Sequence, residues 1–299
     1  MGVTSQPPLR LAVAGALTIA FSAILVATAG VAPSTAAIFR CAYALPLLFW
    51  LAWREDRVHG ARDPRSRRLA AGAGVFFAAD LIFWHHSIED VGAGLATVLG
   101  NLQVAFVPLI AWAVLKEHPS RRVLVTLPVV LAGVVFVSGV LERGAFGPDP
   151  GRGAIYGLLT GMAYAGFILL LRAAGADLRR PAGPLFDATA VATIAAVAAG
   201  VAIGDADLVP SWPAHAWLVV LALSSQVLGW MLISTSLPRL PAALTSVVLT
   251  IQPIGSMVLG AVLLSEDPTL LQLVGCAAIL AGLVSVTAGR RRAATAAGG

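Results

Sequence analysis

Charge is scarce in this chain. Of its 299 residues only 12% are Asp, Glu, Lys or Arg, about half of what a soluble domain of that length carries. The scarcity is also local: residues 91–115, 123–141, 153–171 and 208–238 hold no charged side chain at all. Such stretches cannot build a water-facing surface, which excludes most classes of soluble enzyme. Cysteine is rare too. Cys41 and Cys276 both sit inside apolar segments, so each reads as a small core residue, with no disulfide and no metal set. A Gly-x-x-x-x-Gly-Lys loop is missing, so the chain cannot use ATP on its own. Linkers are short and punctuated by Gly and Pro, as at 147–151, and none could hold a soluble domain. The net charge of +5 is no nucleic-acid footprint, because the arginines lie in short loops and not on one basic face.

What is present is apolar residue after apolar residue: 58% hydrophobic, with a mean hydropathy of +0.87. A helix needs about 20 residues to cross a hydrocarbon core of roughly 30 Å, and in lipid it satisfies its own backbone hydrogen bonds. Ten such spans are predicted, at 11–29, 34–53, 69–86, 91–115, 123–141, 153–171, 184–203, 213–236, 241–264 and 269–288. The expectation is an all-α integral membrane protein whose first partner is the lipid bilayer. Arg10, the run 11–26 and the triplet Ala27-Thr28-Ala29 mimic a cleavable signal. That run is long for a signal core, so an uncleaved first span is expected.

Loop arginines set the orientation. With the N-terminus in the cytoplasm, 17 of the 20 Lys and Arg fall on the cytoplasmic side. Only Arg143 and Arg152 fall outside, and Arg40 lies within a span. Acids lean outward: Glu89, Asp90, Glu142, Asp149, Asp205, Asp207, Glu266 and Asp267. A miscounted span would scramble this split. The expected placement is therefore a multi-pass protein of the plasma membrane with both termini cytoplasmic.

The chain also repeats itself. Shifted by 149 residues, 87–133 overlays 236–282 with 13 identities in 47 positions. Ser87/Ser236, Gln103/Gln252, Glu117/Glu266 and Pro119/Pro268 are among them. Both Glu-x-Pro-Ser/Thr tetrads, 117–120 and 266–269, read as a turn followed by a helix N-cap, and Thr269 with Gln272 has the pattern of a capping box. Gly15-Ala16-Leu17-Thr18 is echoed at Gly157-Leu158-Leu159-Thr160. Two five-span halves follow, 1–145 and 153–299. Five is odd, so tandem halves enter the membrane from opposite sides. Inverted repeats are a common construction of secondary transporters, with the substrate site near the midplane between the halves.

Together these features resemble the drug/metabolite transporter superfamily, in particular its ten-span EamA-type members. The resemblance covers nearly the whole chain. It rests on the five-plus-five plan and on the Glu that ends the fourth span of each half before a Pro-containing turn. It rests also on Leu131-Ala132-Gly133 and Leu280-Ala281-Gly282 in the fifth spans, and on Arg40 in Ala37-Ile38-Phe39-Arg40. Where the family commonly has Gly before that Glu, Lys116 and Ser265 stand here. The resemblance implies efflux of small metabolites or drugs. Small four-span members couple protons through a Glu in the first span; this first span has no acid, so that mechanism does not carry over.

An ionisable group inside a span is costly and is a functional candidate. Arg40 and Asp80 qualify, each about six residues from the outer end of its span, or roughly 9 Å deep at about 1.5 Å per residue. Arg40 either holds an anionic substrate group, with Asp80 gating it, or forms a fixed ion pair with Asp80 that ties two spans. A lone buried carboxylate can carry a proton, and one paired with Arg cannot; a proton is the coupling ion considered. Asp187 is expected at the membrane interface. Polar and aromatic residues near mid-span add Trp84, Asn101, Gln103, Tyr164, Gln226, Trp230 and Gln252 to the candidates for a pocket suited to amphipathic or aromatic molecules; interhelical hydrogen bonding would use the same residues. On a regular helix Asn101 and Gln103 cannot face one cavity, and Gln103 is preferred for its repeat mate Gln252. Pro108 and Pro253 are candidate hinges.

The first reading is thus a secondary transporter exporting a small-molecule substrate, with no cofactor and no nucleic-acid partner. Rivals are an uptake permease, an intramembrane enzyme with His85, His86 and Glu89 as metal ligands, and a membrane scaffold. A homodimer is compatible with the pattern but not encoded in it.

Overall fold

A computed structural model describes residues 8–115, 121–236 and 242–296. Lys116, Glu117, His118, Pro119, Ser120, Arg239 and Pro241, used in the sequence reading, lie outside these residues.

The described chain is a bundle of helices: α1 Pro8–Ala29, α2 Pro33–His59, α3 Pro64–Val91, α4 Ala93–Gly100, α5 Gln103–Leu115, α6 Arg121–Val137, α7 Pro150–Ala174, α8 Ala182–Ile203, α9 Ala214–Leu221, α10 Trp230–Ser236, α11 Ala242–Leu263 and α12 Leu270–Ala296. Helices α4 and α5 make one span, and so do α9 and α10, which gives ten spans in two five-span repeats. Seven of the spans are long and apolar enough to cross a membrane as described, and shorter apolar helices at Val123–Val137, Ile251–Leu263 and Leu270–Ser285 supply the rest.

Local chemistry sets the ends. Proline opens α2, α3 and α7, where its missing N–H costs nothing. Gly60, Gly92 and Gly204 close α2, α3 and α8 with φ of 81°, 85° and 88°, a region open to glycine. The capping box before α12 is formed: Gln272 N donates to Thr269 Oγ1 at 3.2 Å and Thr269 N to Gln272 Oε1 at 3.1 Å.

Two spans are irregular. Span four was read as one helix at 91–115; it breaks at Asn101–Leu102. There the amides of Asn101, Leu102, Val104 and Ala105 bond three residues back, to Val98, Leu99, Asn101 and Leu102. Pro108, one turn past Val104, can donate no N–H to that carbonyl, so the backbone tightens just before it. The sequence predicts span eight at 213–236; within it a π-helical segment, Ala222–Gly229, lies between α9 and α10. Such segments concentrate at functional sites.

Packing follows the repeat. Helix α2 lies along α8, α6 along α12 and α4 against α11, while the pairing of α3 with α7 is matched by that of α1 with the span α9–α10. Lipid gives helices no hydrophobic reason to associate, so small residues let backbones touch. A Cβ on Gly275 would stand 2.6 Å from the Gly133 carbonyl oxygen, and one on Gly133 would stand 2.7 Å from that of Gly275. The buried stripe Leu185, Ala188, Thr189, Ala192, Ala196, Gly200 gives α8 a smooth face.

Antiparallel α2 and α8 cap each other. Glu55, in the last turns of α2, accepts from Ala182 N at 3.0 Å and Gly183 N at 2.8 Å at the start of α8. Asp205, just past α8, accepts from Ser34 N at 3.1 Å at the start of α2. A carboxylate at a helix N-terminus satisfies orphan donors and opposes the helix dipole.

Candidate functional site

The site sits where α1, α2, α3, α4, α7, α10 and α11 converge. Arg40, on α2, is 3% exposed. Its Nε donates to Gln226 Oε1 at 3.1 Å and its Nη1 to Ser22 Oγ at 3.0 Å. Gln226 passes the chain on, Nε2 to Thr189 Oγ1 at 3.1 Å. Four elements of both repeats thus fix the guanidinium. Its carbon lies 5.7 Å from the Trp84 ring centroid, within cation–π range. Among the described residues its Nη2 makes no hydrogen bond, so one edge of the fork stays open.

Asp80, on α3, lines the same cavity as Arg40. Among the described residues it forms neither a hydrogen bond nor an ion pair, and it is 7% exposed. The direct Arg40–Asp80 salt bridge weighed from sequence is not formed. Two further buried atoms at the cavity have no partner: Thr160 Oγ1 on α7 and Trp230 Nε1 on α10. An unpaired buried polar group costs about 1–3 kcal/mol, so Thr160 Oγ1 and Trp230 Nε1, beside Asp80, suit this cavity to a hydrogen-bonding ligand. The wall is aromatic. Phe77 stacks on Phe167 at 4.3 Å between ring centroids, and Trp230 meets Phe167 edge-on at 5.1 Å and Tyr164 at 6.1 Å.

The cavity holds about 40 Å³, room for one water and no metabolite. A larger cleft of about 650 Å³ opens elsewhere, at the arginine-rich end between the α2–α3 and α7–α8 turns. Its charges answer one another. Arg62 grips Asp187 with bonds of 2.6 and 3.2 Å, and Arg180 donates to Asp56 at 3.2 Å and to the Gly60 carbonyl. A hydrogen bond from Arg179 holds the Asp177 carboxyl down at about 2. Arg62 Nε and Arg180 Nε in that cleft also lack a hydrogen-bond partner among the described residues, but the small cavity gathers Arg40 and Asp80 with side chains of both repeats, which makes it the better candidate.

The acid-rich end is sealed above it. Glu266, in the α11–α12 turn, accepts from Ala93 N and, at 3.0 Å, from Gly94 N, the first amides of α4. Gly92, Gly94 and Gly260 make the cradle: a Cβ at any of them would collide with or crowd the Glu266 carboxylate. Asp90 is bound by Arg152, Nε to Oδ2 at 2.8 Å. Gln272 ties Phe146 N and O and the Val137 carbonyl at 2.9, 3.1 and 3.2 Å. At the other end, the second half of the same span, α5, packs on α6, α7 and α12.

Of the residues singled out from sequence, Arg40, Asp80, Trp84, Tyr164, Trp230 and Gln252 line the cavity. Gln226 reaches it through Arg40. Gln103 is buried but is not on the lining, whereas Asn101 is. The preference for Gln103 rested on its repeat mate Gln252; of that pair only Gln252 lines the cavity, and beside the break at Asn101–Leu102 it is Asn101 that joins it. Pro108 lies inside α5 and Pro253 inside α11. His85 donates from Nδ1 to the Pro33 carbonyl, 3.1 Å away; a carbonyl only accepts, so Nδ1 carries the proton. His86 stands 3.5 Å from Asp205 and 3.9 Å from Glu89. Among the described residues no three His, Cys, Asp or Glu side chains gather as a metal site. Sequence reasoning passed over Ser22, Thr160 and Thr189. The echo of 15–18 at 157–160 carried the signal: the same shift that pairs Thr18 with Thr160 pairs Ser22 with Tyr164.

Comparison with known proteins points one way. The model of the EamA-like transporter family matches residues 8–139 and 151–288, the two repeats in turn. No curated protein matches. Twenty-three chains of solved structures do. One, the crystal structure of a protein described no further, superposes with a TM-score of 0.59 at 17% identity, over 95% of this chain and 98% of that one. At that identity the likeness is one of fold alone.

Proposed function

This chain belongs to the EamA-like transporter family, and from that premise we propose a secondary exporter of small metabolites or drugs that works by alternating access. The positive-inside bias supports a cytoplasmic position for the arginine-rich end and both termini, and the plasma membrane is the proposed location. The substrate binds in the chamber between the repeats. Arg40 takes its anionic group through the open guanidinium edge, Asp80 takes a donor or a proton, and the aromatic wall takes the apolar part. One observation carries the reading: Arg40 and Asp80 line one cavity with Thr160 Oγ1 and Trp230 Nε1, and the last two are buried without a hydrogen-bond partner among the described residues.

At about 40 Å³ the chamber must widen to admit a metabolite. The break at Asn101–Leu102 and the π segment Ala222–Gly229 are where the backbone can yield without losing a long helical ladder. Without an ion pair to Arg40, Asp80 is free to exchange a proton with the substrate, which would couple export to a proton gradient. The substrate's own gradient is the alternative source of energy.

Thermal-shift screening of metabolites and drugs against the purified protein tests the binding step. A ligand at 100 times its Kd stabilises by about 2.7 kcal/mol. Hits should stabilise wild type and fail to stabilise Arg40→Ala; equal stabilisation of both would remove the chamber as the site. Uptake by inside-out vesicles, and none by right-side-out vesicles, would establish export over the uptake reading.

A further inference from the structure

On α2, Trp50, Trp53, Arg54 and Arg57 fall at spacings of three and four, on one face of the helix. Arg54 lies over the Trp50 ring, 4.8 Å from its centroid, and Arg57 over the Trp53 ring at 4.9 Å. Both indoles are 46% exposed, and both arginines are exposed. The acids of this stretch point the other way. Glu55 caps α8, and Asp56 is taken by Arg62 and Arg180. Among the described residues neither Arg54 nor Arg57 has an ion-pair partner. Inward carboxylates thus hold the bundle together, and the outward face keeps uncompensated positive charge.

Position says what meets that face. The stripe ends a membrane span, and Trp marks the depth of the lipid headgroups. A guanidinium parked on an indole keeps its N–H edge open, and that edge matches phosphate oxygens two at a time. We propose that this stripe is a binding surface for the headgroup of an anionic phospholipid. The tryptophans set the depth and the two arginines take the phosphodiester. The choice of an anionic over a zwitterionic lipid follows from two cations with no counter-ion among the described residues. Each basic residue near an anionic surface contributes about fivefold, the equivalent of ~1 kcal/mol, so both give about 30-fold.

Brominated lipids quench nearby tryptophan and report which lipid sits there. The full chain is reconstituted in phosphatidylcholine with rising fractions of brominated phosphatidylglycerol, or of brominated phosphatidylcholine as reference. The quenched component is assigned by its loss in a Trp50→Phe/Trp53→Phe variant. Wild type should favour the anionic lipid about 30-fold at this component, each of Arg54→Gln and Arg57→Gln about fivefold less, and the double variant should show no preference. Melting of the double variant in detergent should match wild type, since neither arginine holds a partner in the bundle. An unchanged preference in the double variant overturns the proposal. So does relief of the quenching by millimolar inorganic phosphate, which would make the surface a site for free phosphate.

Discussion

If the acid-rich end is a gate, Glu266 is its latch, and cutting the latch should open the chamber from that side alone. The carboxylate accepts two amide hydrogen bonds from the start of α4 and joins the second repeat to the first. A bond to a charged acceptor contributes about 1.5–3 kcal/mol. Glu266 is only half-buried, and screening by water lowers that figure, so about 2 kcal/mol for the pair is a fair sum. Removing it in Glu266→Ala should raise the open fraction about 30-fold at ~1.4 kcal/mol per tenfold. Glu266→Gln keeps one neutral acceptor and should give about fivefold. Gly260→Ala approaches the same latch from the other side, because its new Cβ would strike the carboxylate. The assay is the labelling rate of a single cysteine at Thr160, with Cys41 and Cys276 replaced by Ala, using a membrane-impermeant maleimide. Added at the acid-rich face, the reagent should react about 30 times faster in Glu266→Ala; added at the arginine-rich face, it should react no faster. A change below twofold at the acid-rich face, in protein that still binds ligand, would refute the latch.

Other expectations follow from the same geometry. Arg40→Lys keeps the charge but cannot bridge Ser22 and Gln226 with one rigid fork, so ligand affinity should fall at least tenfold by thermal shift, and wild-type affinity would demote the fork. Thr160→Val removes a hydroxyl that has no partner; melting should hold or rise while ligand binding weakens several-fold, and a lower melting point would mean the hydroxyl is structural. Gly275→Val pushes α12 off α6 at the 2.6 Å approach to the Gly133 carbonyl and should cost about 1–3 kcal/mol, read as earlier thermal aggregation. Arg62→Ala leaves Asp187, whose side chain is 10% exposed, with only the longer 3.8 Å contact to Arg67 among the described residues and should destabilise by about 1–3 kcal/mol; an unchanged melting point would show the pair to be replaceable.

The span plan was legible because lipid forbids charge and exposed backbone alike, so charge-free windows such as 123–141 and 208–238 announce helices whatever packs on them. The two-repeat plan is legible as arithmetic, from Glu266 aligned with Glu117 at a shift of 149 residues. Arg40 and Asp80 stood out because burial makes each costly. What stayed hidden depends on the path of the backbone. The repeat match of Gln103 to Gln252 set Asn101 aside, yet the amides of Asn101, Leu102, Val104 and Ala105 bond three residues back, and Asn101 rather than Gln103 lines the cavity. The turn at Gln226 into a π segment was equally invisible, since no residue in Ala222–Gly229 demands it. Glu266 is legible as the repeat mate of Glu117 and as part of a turn, but its amide partners, 172 and 173 residues away, are not.

The most direct test of the central claim is counterflow in proteoliposomes, using a labelled ligand that stabilises the purified protein. Wild type should accumulate label against unlabelled ligand inside, and Arg40→Ala, inserted and folded, should not. Counterflow by Arg40→Ala at the wild-type rate, or none by wild type with a ligand it binds, would contradict a transport path through the chamber around Arg40.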